Sequence, residues 1–160
     1  MIEASRRAAG VAVAEVPDEA GLAELIGTEF PGGEFTFESW WVRLVNDCSL
    51  ASPTDEVSSP VFVFLAGTAA MGMSWEQMWA MFGARESDGP MAGETATEVY
   101  SPLRIGATYA VRGRIVSAER KRGNRTGVFD IVGYRLELHD VDGRLAASCT
   151  NSIIFPRRGL

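Results

Sequence analysis

The sequence predicts an α+β fold in which one antiparallel sheet wraps around a long apolar helix. Three observations predict it. From Gly93 to Pro156 the chain holds three long extended segments and a shorter lead-in strand, separated by turn signals. Just upstream, Pro60 to Phe82 is the one apolar stretch long enough to cover the face of such a sheet. The strands follow one another through short hairpins, which makes neighbours antiparallel.

The elements follow in chain order. Residues 1–17 lack a firm pattern and read as an N-terminal arm; residues 18–158 read as one folded domain. Asp18 is an N-cap after Pro17, for a helix from Glu19 to Leu25 that stops at Gly27. Thr28 to Phe30 is a short strand ended by Pro31-Gly32-Gly33. Thr36 caps a second helix through Phe37 to Val45, with Trp40, Trp41, Leu44 and Val45 on one face. Two adjacent tryptophans at that spacing read as core packing. Asn46 to Ser59 is a polar loop. Ser58 or Ser59 caps the next helix, because Pro60 is tolerated in a first turn.

That helix is apolar on all sides, which implies burial on all sides. Its small residues allow close approach of a sheet or a second subunit. Gly72 and Ser74 can divide it in two. Gly83 to Gly93 is a loop, and Glu94 to Tyr100 is the lead-in strand, ended by Ser101-Pro102. Leu103 to Gly106 turns the chain into a strand from Thr108 to Glu119, and Arg122 to Arg125 makes a hairpin turn. Val132, Tyr134, Leu136 and Leu138 then share one face at period two. Asp140-Val141-Asp142-Gly143 is a second hairpin signal. The last strand runs from Leu145 to Phe155. A sheet wrapped around one helix in this way is the hot-dog architecture.

Composition narrows the function. The chain has 160 residues, which suits one domain, and 46 % of them are hydrophobic. A formal net charge of −6 argues against general binding to nucleic acid or an anionic membrane. Arg112, Arg114, Arg120, Lys121, Arg122 and Arg125 nevertheless crowd one hairpin. They read either as solvated strand ends or as a basic patch for a phosphorylated ligand or acidic carrier. Cys48 and Cys149 are far apart and form no metal-ligand spacing, so neither a metal nor a disulfide is expected. There is one histidine, His139, at a strand end beside a hairpin. No signal peptide is recognisable. The longest apolar run, Val61 to Met73, falls short of the roughly 20 residues that a bilayer requires. The expected setting is cytoplasmic.

Several pieces together resemble one family. Ile26-Gly27 with its short strand and Thr36 resembles the family's lead-in. Pro60-Val61-Phe62-Val63-Phe64 resembles the start of its central helix. Tyr100-Ser101-Pro102-Leu103-Arg104-Ile105-Gly106 resembles its R-P-x-x-x-G-D turn, with Ala107 in place of the acid. Asp140-Val141-Asp142-Gly143-Arg144 resembles its last hairpin. The match spans about Leu25 to Arg158 and is to the MaoC-like hydratases and dehydratases, especially their N-terminal dehydratase type.

The resemblance implies action on 3-hydroxyacyl or enoyl thioesters of coenzyme A or acyl carrier protein, with no cofactor. It also implies a D-x-N-P-x-H motif on the loop before the central helix. Here that loop reads Asp47-Cys48-Ser49-Leu50-Ala51-Ser52. Asp47 matches the aspartate, Ser49 stands at the asparagine position and Ser52 at the histidine position. Hydration of an enoyl thioester needs one group to activate water, another to move the α-proton, and a donor for the carbonyl oxygen. A serine hydroxyl is no base at neutral pH without a partner.

The expected role is therefore a subunit of a heteromeric enzyme whose catalytic Asp/His dyad is supplied by a partner subunit. A second hot-dog subunit is expected to join this one, with hetero- and homodimer both left open by the sequence. Asp47 and Ser52 are the candidate catalytic residues, with Cys48 and Ser49 beside the substrate. Pro60, Phe62, Phe64, Met71 and Trp75 are candidates for an apolar acyl tunnel. Arg120, Lys121 and Arg122 are candidates for the phosphates of the carrier. A stand-alone enzyme with Asp47 as base and a non-catalytic hydrophobic-ligand binder are the alternatives.

Overall fold

The computed structural model describes residues 12–52, 56–57, 59–124, 127–158 and 160. Ser58 and Arg125, named above as a cap and as part of the basic hairpin, lie outside them.

Helix α1 (Glu19–Glu24) begins as expected, with the Asp18 carboxylate accepting from the Gly21 N–H at 2.8 Å. Residues 28–30 form only an isolated bridge, between Glu29 and Arg114. The strand comes later, as β1 (Gly33–Thr36), paired antiparallel with residues 108–111. Thr36 therefore closes a strand rather than capping a helix. Its hydroxyl meets that of Thr108 at 2.7 Å.

Helix α2 (Ser39–Cys48) starts after Glu38, which offers no side-chain cap. Its inward face is also rotated from the expected one. Val42 and Asn46 are buried, Trp41 and Val45 half-buried, while Trp40 and Leu44 are 65 % and 54 % exposed. Trp41 packs edge-on against Phe35 and Phe62. The expected polar loop is shorter than the sequence implied. The helix takes its first residues, and β2 (Glu56–Val57) uses two more to pair with β4 (Leu103–Arg104).

The apolar stretch divides. Helix α3 (Val61–Ala69) is the central one, and α4 (Trp75–Met81) follows. Gly72 makes the break at φ +81°, and a Cβ there would lie 2.4 Å from the Gly32 carbonyl oxygen, so both the backbone and the space demand glycine. Ser74 then starts α4 with a reciprocal capping box to Gln77. The central helix is thus shorter than expected and not buried all round. Phe62, Val63, Ala66 and Gly67 face inward, whereas Val61 is exposed and Phe64 and Leu65 half-buried.

The remaining strands are β3 (Met91–Val99), β5 (Thr108–Gly123), β6 (Gly127–His139) and β7 (Leu145–Pro156). They form one antiparallel sheet in the order β1-β5-β6-β7-β3. The hairpins β5-β6 and β6-β7 are as predicted. The lead-in strand is not beside β5, however; it crosses to the far edge and pairs with β7, from Met91↔Ile154 to Val99↔Ala147. Val132, Tyr134, Leu136 and Leu138 all point toward the helices and are buried. Two apolar clusters fill that side. One gathers Phe37, Phe62, Val63, Leu103, Tyr109 and Leu138; the other gathers Leu22, Met71, Met78, Phe82, Leu136 and Phe155.

One buried ionic group ties the ends of the chain to the sheet. Asp130 on β6 is fully buried. It accepts from Arg120 Nε at 2.7 Å, Arg120 Nη2 at 3.0 Å and Arg157 Nε at 2.6 Å. Arg120 also donates to the Pro17 carbonyl at 2.8 Å, and Arg157 to the Phe82 carbonyl at 2.7 Å. One carboxylate therefore joins the N-terminal arm, the end of α4 and the C-terminal strand.

Candidate functional site

Asp47 and Cys48 lie on the last turn of α2, and both are exposed. Ser49 follows as the C-cap. Its hydroxyl donates to the carbonyls of Val45 at 2.9 Å and Asn46 at 3.2 Å, so it serves the helix end. Leu50 turns the chain at φ +56° with its side chain 94 % exposed, and Ser52 is exposed beyond it. Phe62 and Met71 are fully enclosed in the two core clusters. Arg120 is engaged with Asp130, which holds its guanidinium above its ordinary value. Lys121 pairs with Glu119 at 2.6 Å, and Arg122 is exposed.

His139 sits on the face of the sheet turned away from α3. Its Nδ1 lies 3.2 Å from the Gly143 carbonyl and its Nε2 3.4 Å from Glu137 Oε2. Glu137 also meets Arg135 Nε at 2.9 Å and Arg114 Nη2 at 3.6 Å. Burial pushes the Glu137 carboxyl up. Arg135, Arg114 and His139 outweigh that, and the group ends below its ordinary range. This ladder continues to Tyr100, whose hydroxyl donates to Glu98 Oε2 at 2.7 Å. Its members satisfy one another.

Phe64 and Trp75, by contrast, come together on a cavity of about 230 Å³ between α3, α4 and the β3 edge of the sheet. Phe64, Trp75, Trp79, Met91 and Ile153 supply apolar walls, and Thr95, Tyr134 and Asn151 supply polar groups. The two indoles stack at 6.5 Å between centroids. A second cavity, of about 240 Å³, is lined by Pro60, Val61, Phe64, Thr95 and Thr97. The two meet at Phe64 and Thr95, so an apolar groove runs from the start of α3 along β3 to the tryptophans. A larger cavity, of about 470 Å³, lies between residues 13–16, the Arg85–Asp88 turn and the C-terminus. Two of its polar groups are already committed, Arg157 to Asp130 and the Asp88 carboxylate to the Arg85 N–H. The groove has the apolar walls and few convergent polar groups expected of a ligand site.

The groove's polar floor is a directed chain of hydrogen bonds. The Thr97 hydroxyl donates to Cys149 Sγ at 3.5 Å, and the thiol donates to Asn151 Oδ1 at 3.2 Å. The Thr95 hydroxyl donates to the same Oδ1 at 3.0 Å. Tyr134 stands opposite Asn151 in the β6-β7 register. Burial pushes its phenol up, with Cys149 adding to the effect, so the hydroxyl stays protonated. Sequence reading passed over Thr95, Tyr134 and Asn151 as site residues. The available signal was a tyrosine and an asparagine inside otherwise apolar strand faces, where each needs a partner. Among the described residues, no cluster of three or more His, Cys, Asp or Glu is placed to hold a metal. Among them, too, no helix is long and apolar enough to cross a membrane.

No family model and no curated protein matches the sequence. Solved structures do. The chain is similar to a protein in the crystal structure of the C-terminally truncated HadBC (3R-hydroxyacyl-ACP dehydratase) complex from Mycobacterium tuberculosis. That match has TM-score 0.62 and 15 % identity, covering 81 % of this chain and 96 % of that one. It is similar to a protein of the ChsH1-ChsH2 complex from the same organism, with TM-score 0.62, 9 % identity, and 88 % and 92 % coverage. It is also similar to a MaoC-like dehydratase, with TM-score 0.64, 13 % identity, and 86 % of this chain against 44 % of that one. At such low identity the likeness speaks to architecture, and with the five-stranded sheet around α3 it shows that the chain has the hot-dog fold.

Proposed function

We propose that this chain is the acyl-thioester-binding subunit of a heteromeric (3R)-hydroxyacyl-thioester dehydratase or enoyl hydratase of MaoC-like type. A second hot-dog subunit supplies the catalytic Asp/His dyad. The observation that carries the reading is the pairing of a formed apolar groove with an exposed, histidine-free loop at Asp47 to Ser52. Two of the structurally similar proteins are named as members of two-component complexes, which supports a partnered role.

In this reading the acyl chain lies along β3 toward Trp75 and Trp79, and the thioester lies near Pro60 and Val61. The first turn of α3 would then present the positive end of its dipole to the carbonyl oxygen as enolate charge develops. The partner would supply the base for the α-proton and the group that handles water. It would also cover β3, which pairs only with β7 among the described residues and leaves an open edge.

The stacked tryptophans make the test direct. Titration with octanoyl-CoA should change their fluorescence saturably, and co-expression with a hot-dog protein bearing D-x-N-P-x-H should yield a stable, active complex. A homodimer of this chain that dehydrates 3-hydroxyacyl-CoA by itself would sink the proposal.

A further inference from the structure

We infer that the groove recognises a carbonyl oxygen within the hydrocarbon portion of its ligand, held by Tyr134 Oη and Asn151 Nδ2. The inference rests on the reading of the groove as an acyl site and adds the class of acyl group, a keto-bearing chain or ring.

The argument is an accounting of donors. The Asn151 amide oxygen receives both the Thr95 hydroxyl and the Cys149 thiol, which fills its two acceptor positions and orients the amide. Its nitrogen then faces the other way. That nitrogen makes one long contact, 3.5 Å to the Cys149 carbonyl, and has a second N–H to give. The Tyr134 residue is only 2 % exposed, and its hydroxyl has no hydrogen-bond partner among the described residues. Both residues line the same cavity and stand directly opposite each other on adjacent strands, which brings their Cβ atoms within about 5 Å.

Two unspent donors therefore meet on the floor of an otherwise apolar cavity. A buried tyrosine or amide ordinarily finds a partner. A carbonyl oxygen has two lone pairs in one plane and accepts two donors at once. Trp75 and Trp79 wall the same space with flat apolar surface, which suits the carbon skeleton on either side of the carbonyl. A fully saturated hydrocarbon would leave both donors unpaired, so the site should disfavour it.

The test compares cyclohexyl methyl ketone with its methylene isostere, isopropenylcyclohexane, by tryptophan fluorescence on the full chain. The ketone should bind about tenfold more tightly, the effect of one to two net hydrogen bonds. Tyr134→Phe removes one donor, breaks no bond of the folded protein, and should cut the ketone's advantage about fivefold while leaving the isostere's affinity unchanged. The carbonyl stretch of the bound ketone should move to lower frequency in the parent protein and partly return in Tyr134→Phe. Equal binding of ketone and isostere would overturn the assignment and mean that water fills the donors, while an apolar acyl groove would still stand. If Tyr134→Phe weakens octanoyl-CoA as much as the ketone, the acceptor is the thioester carbonyl and the assignment falls. Binding of octanoyl-CoA that is absent altogether would instead overturn the acyl reading on which the assignment rests.

Discussion

Replacing Asp130 by asparagine tests whether the basic hairpin is architecture or ligand site. The carboxylate is fully buried, Arg157 is 97 % shielded at its side chain, and Arg120 is largely covered. Asparagine keeps the shape and removes the charge. Two guanidinium groups then lose their counter-charge, and Arg157 is left nearly dehydrated. Breaking a buried pair from one side costs about 3–5 kcal/mol. That is a large part of the roughly 5–15 kcal/mol that stabilises a typical domain. For a chain of this length it corresponds to a fall in Tm of about 6–20 °C. Guanidinium unfolding followed by circular dichroism measures it, with an unchanged slope showing that both states keep their compactness. Arg120→Ser should cost less, about 1–3 kcal/mol, because Arg157 still neutralises the carboxylate. It should leave octanoyl-CoA affinity unaltered. Asp130→Asn within about 1 kcal/mol of the parent would refute the argument. So would Arg120→Ser that keeps full stability and loses acyl-CoA binding, because Arg120 would then be reaching the carrier phosphates.

Gly113→Ala should destabilise by about 1–3 kcal/mol through overpacking. A Cβ there would lie 2.5 Å from Phe30 Cδ2 and 2.8 Å from Leu136 Cδ2, and an unchanged Tm would contradict that crowding. Cys48 is exposed and Cys149 buried, so a thiol reagent should label one site in the native protein and the second only in denaturant. Two fast sites would mean that the groove floor opens to solvent. Glu137 is held below the ordinary glutamate value of 4.5, so its contribution to stability is present above that value and lost as pH falls through the lowered one. Glu137→Gln should flatten the acid limb of a Tm-against-pH curve below about pH 4.5, whereas superimposable curves would mean that the charge ladder contributes nothing.

Much of the sheet was legible because its determinants are local. Asp140 shows this most clearly. Its Oδ1 accepts from the backbone of Asp142 and of Arg144, so one residue closes the turn that the sequence signals. Period two from Val132 to Leu138 likewise needs nothing beyond the strand itself. Placement of β3 beside β7 was not legible, since no local signal distinguishes one edge of a sheet from the other. Nor was β1, four residues of which the first is a glycine. For α2 the hydrophobic pattern was right and its phase wrong. Trp40 and Trp41 carry the same apolar weight, and only the packing of Phe35, Phe37 and Phe62 selects the second. The groove draws on helices and strands from Pro60 to Ile153, and its threonines and asparagine carry no motif. Its tryptophan and phenylalanine walls could be named in advance, but the floor could not.

The edge position of β3 has a consequence for how association would be seen. In an antiparallel ladder, alternate backbone amides point toward the neighbouring strand and the others point away. From Thr95 to Val99 the register with β7 is unbroken, so every second amide there is shielded and the rest face outward. Hydrogen–deuterium exchange along this short run should therefore show a sawtooth of slow and fast sites. A subunit that extends the sheet would slow the fast set alone. The strand that walls the groove would then report its own coverage, residue by residue, with no label and no turnover assay.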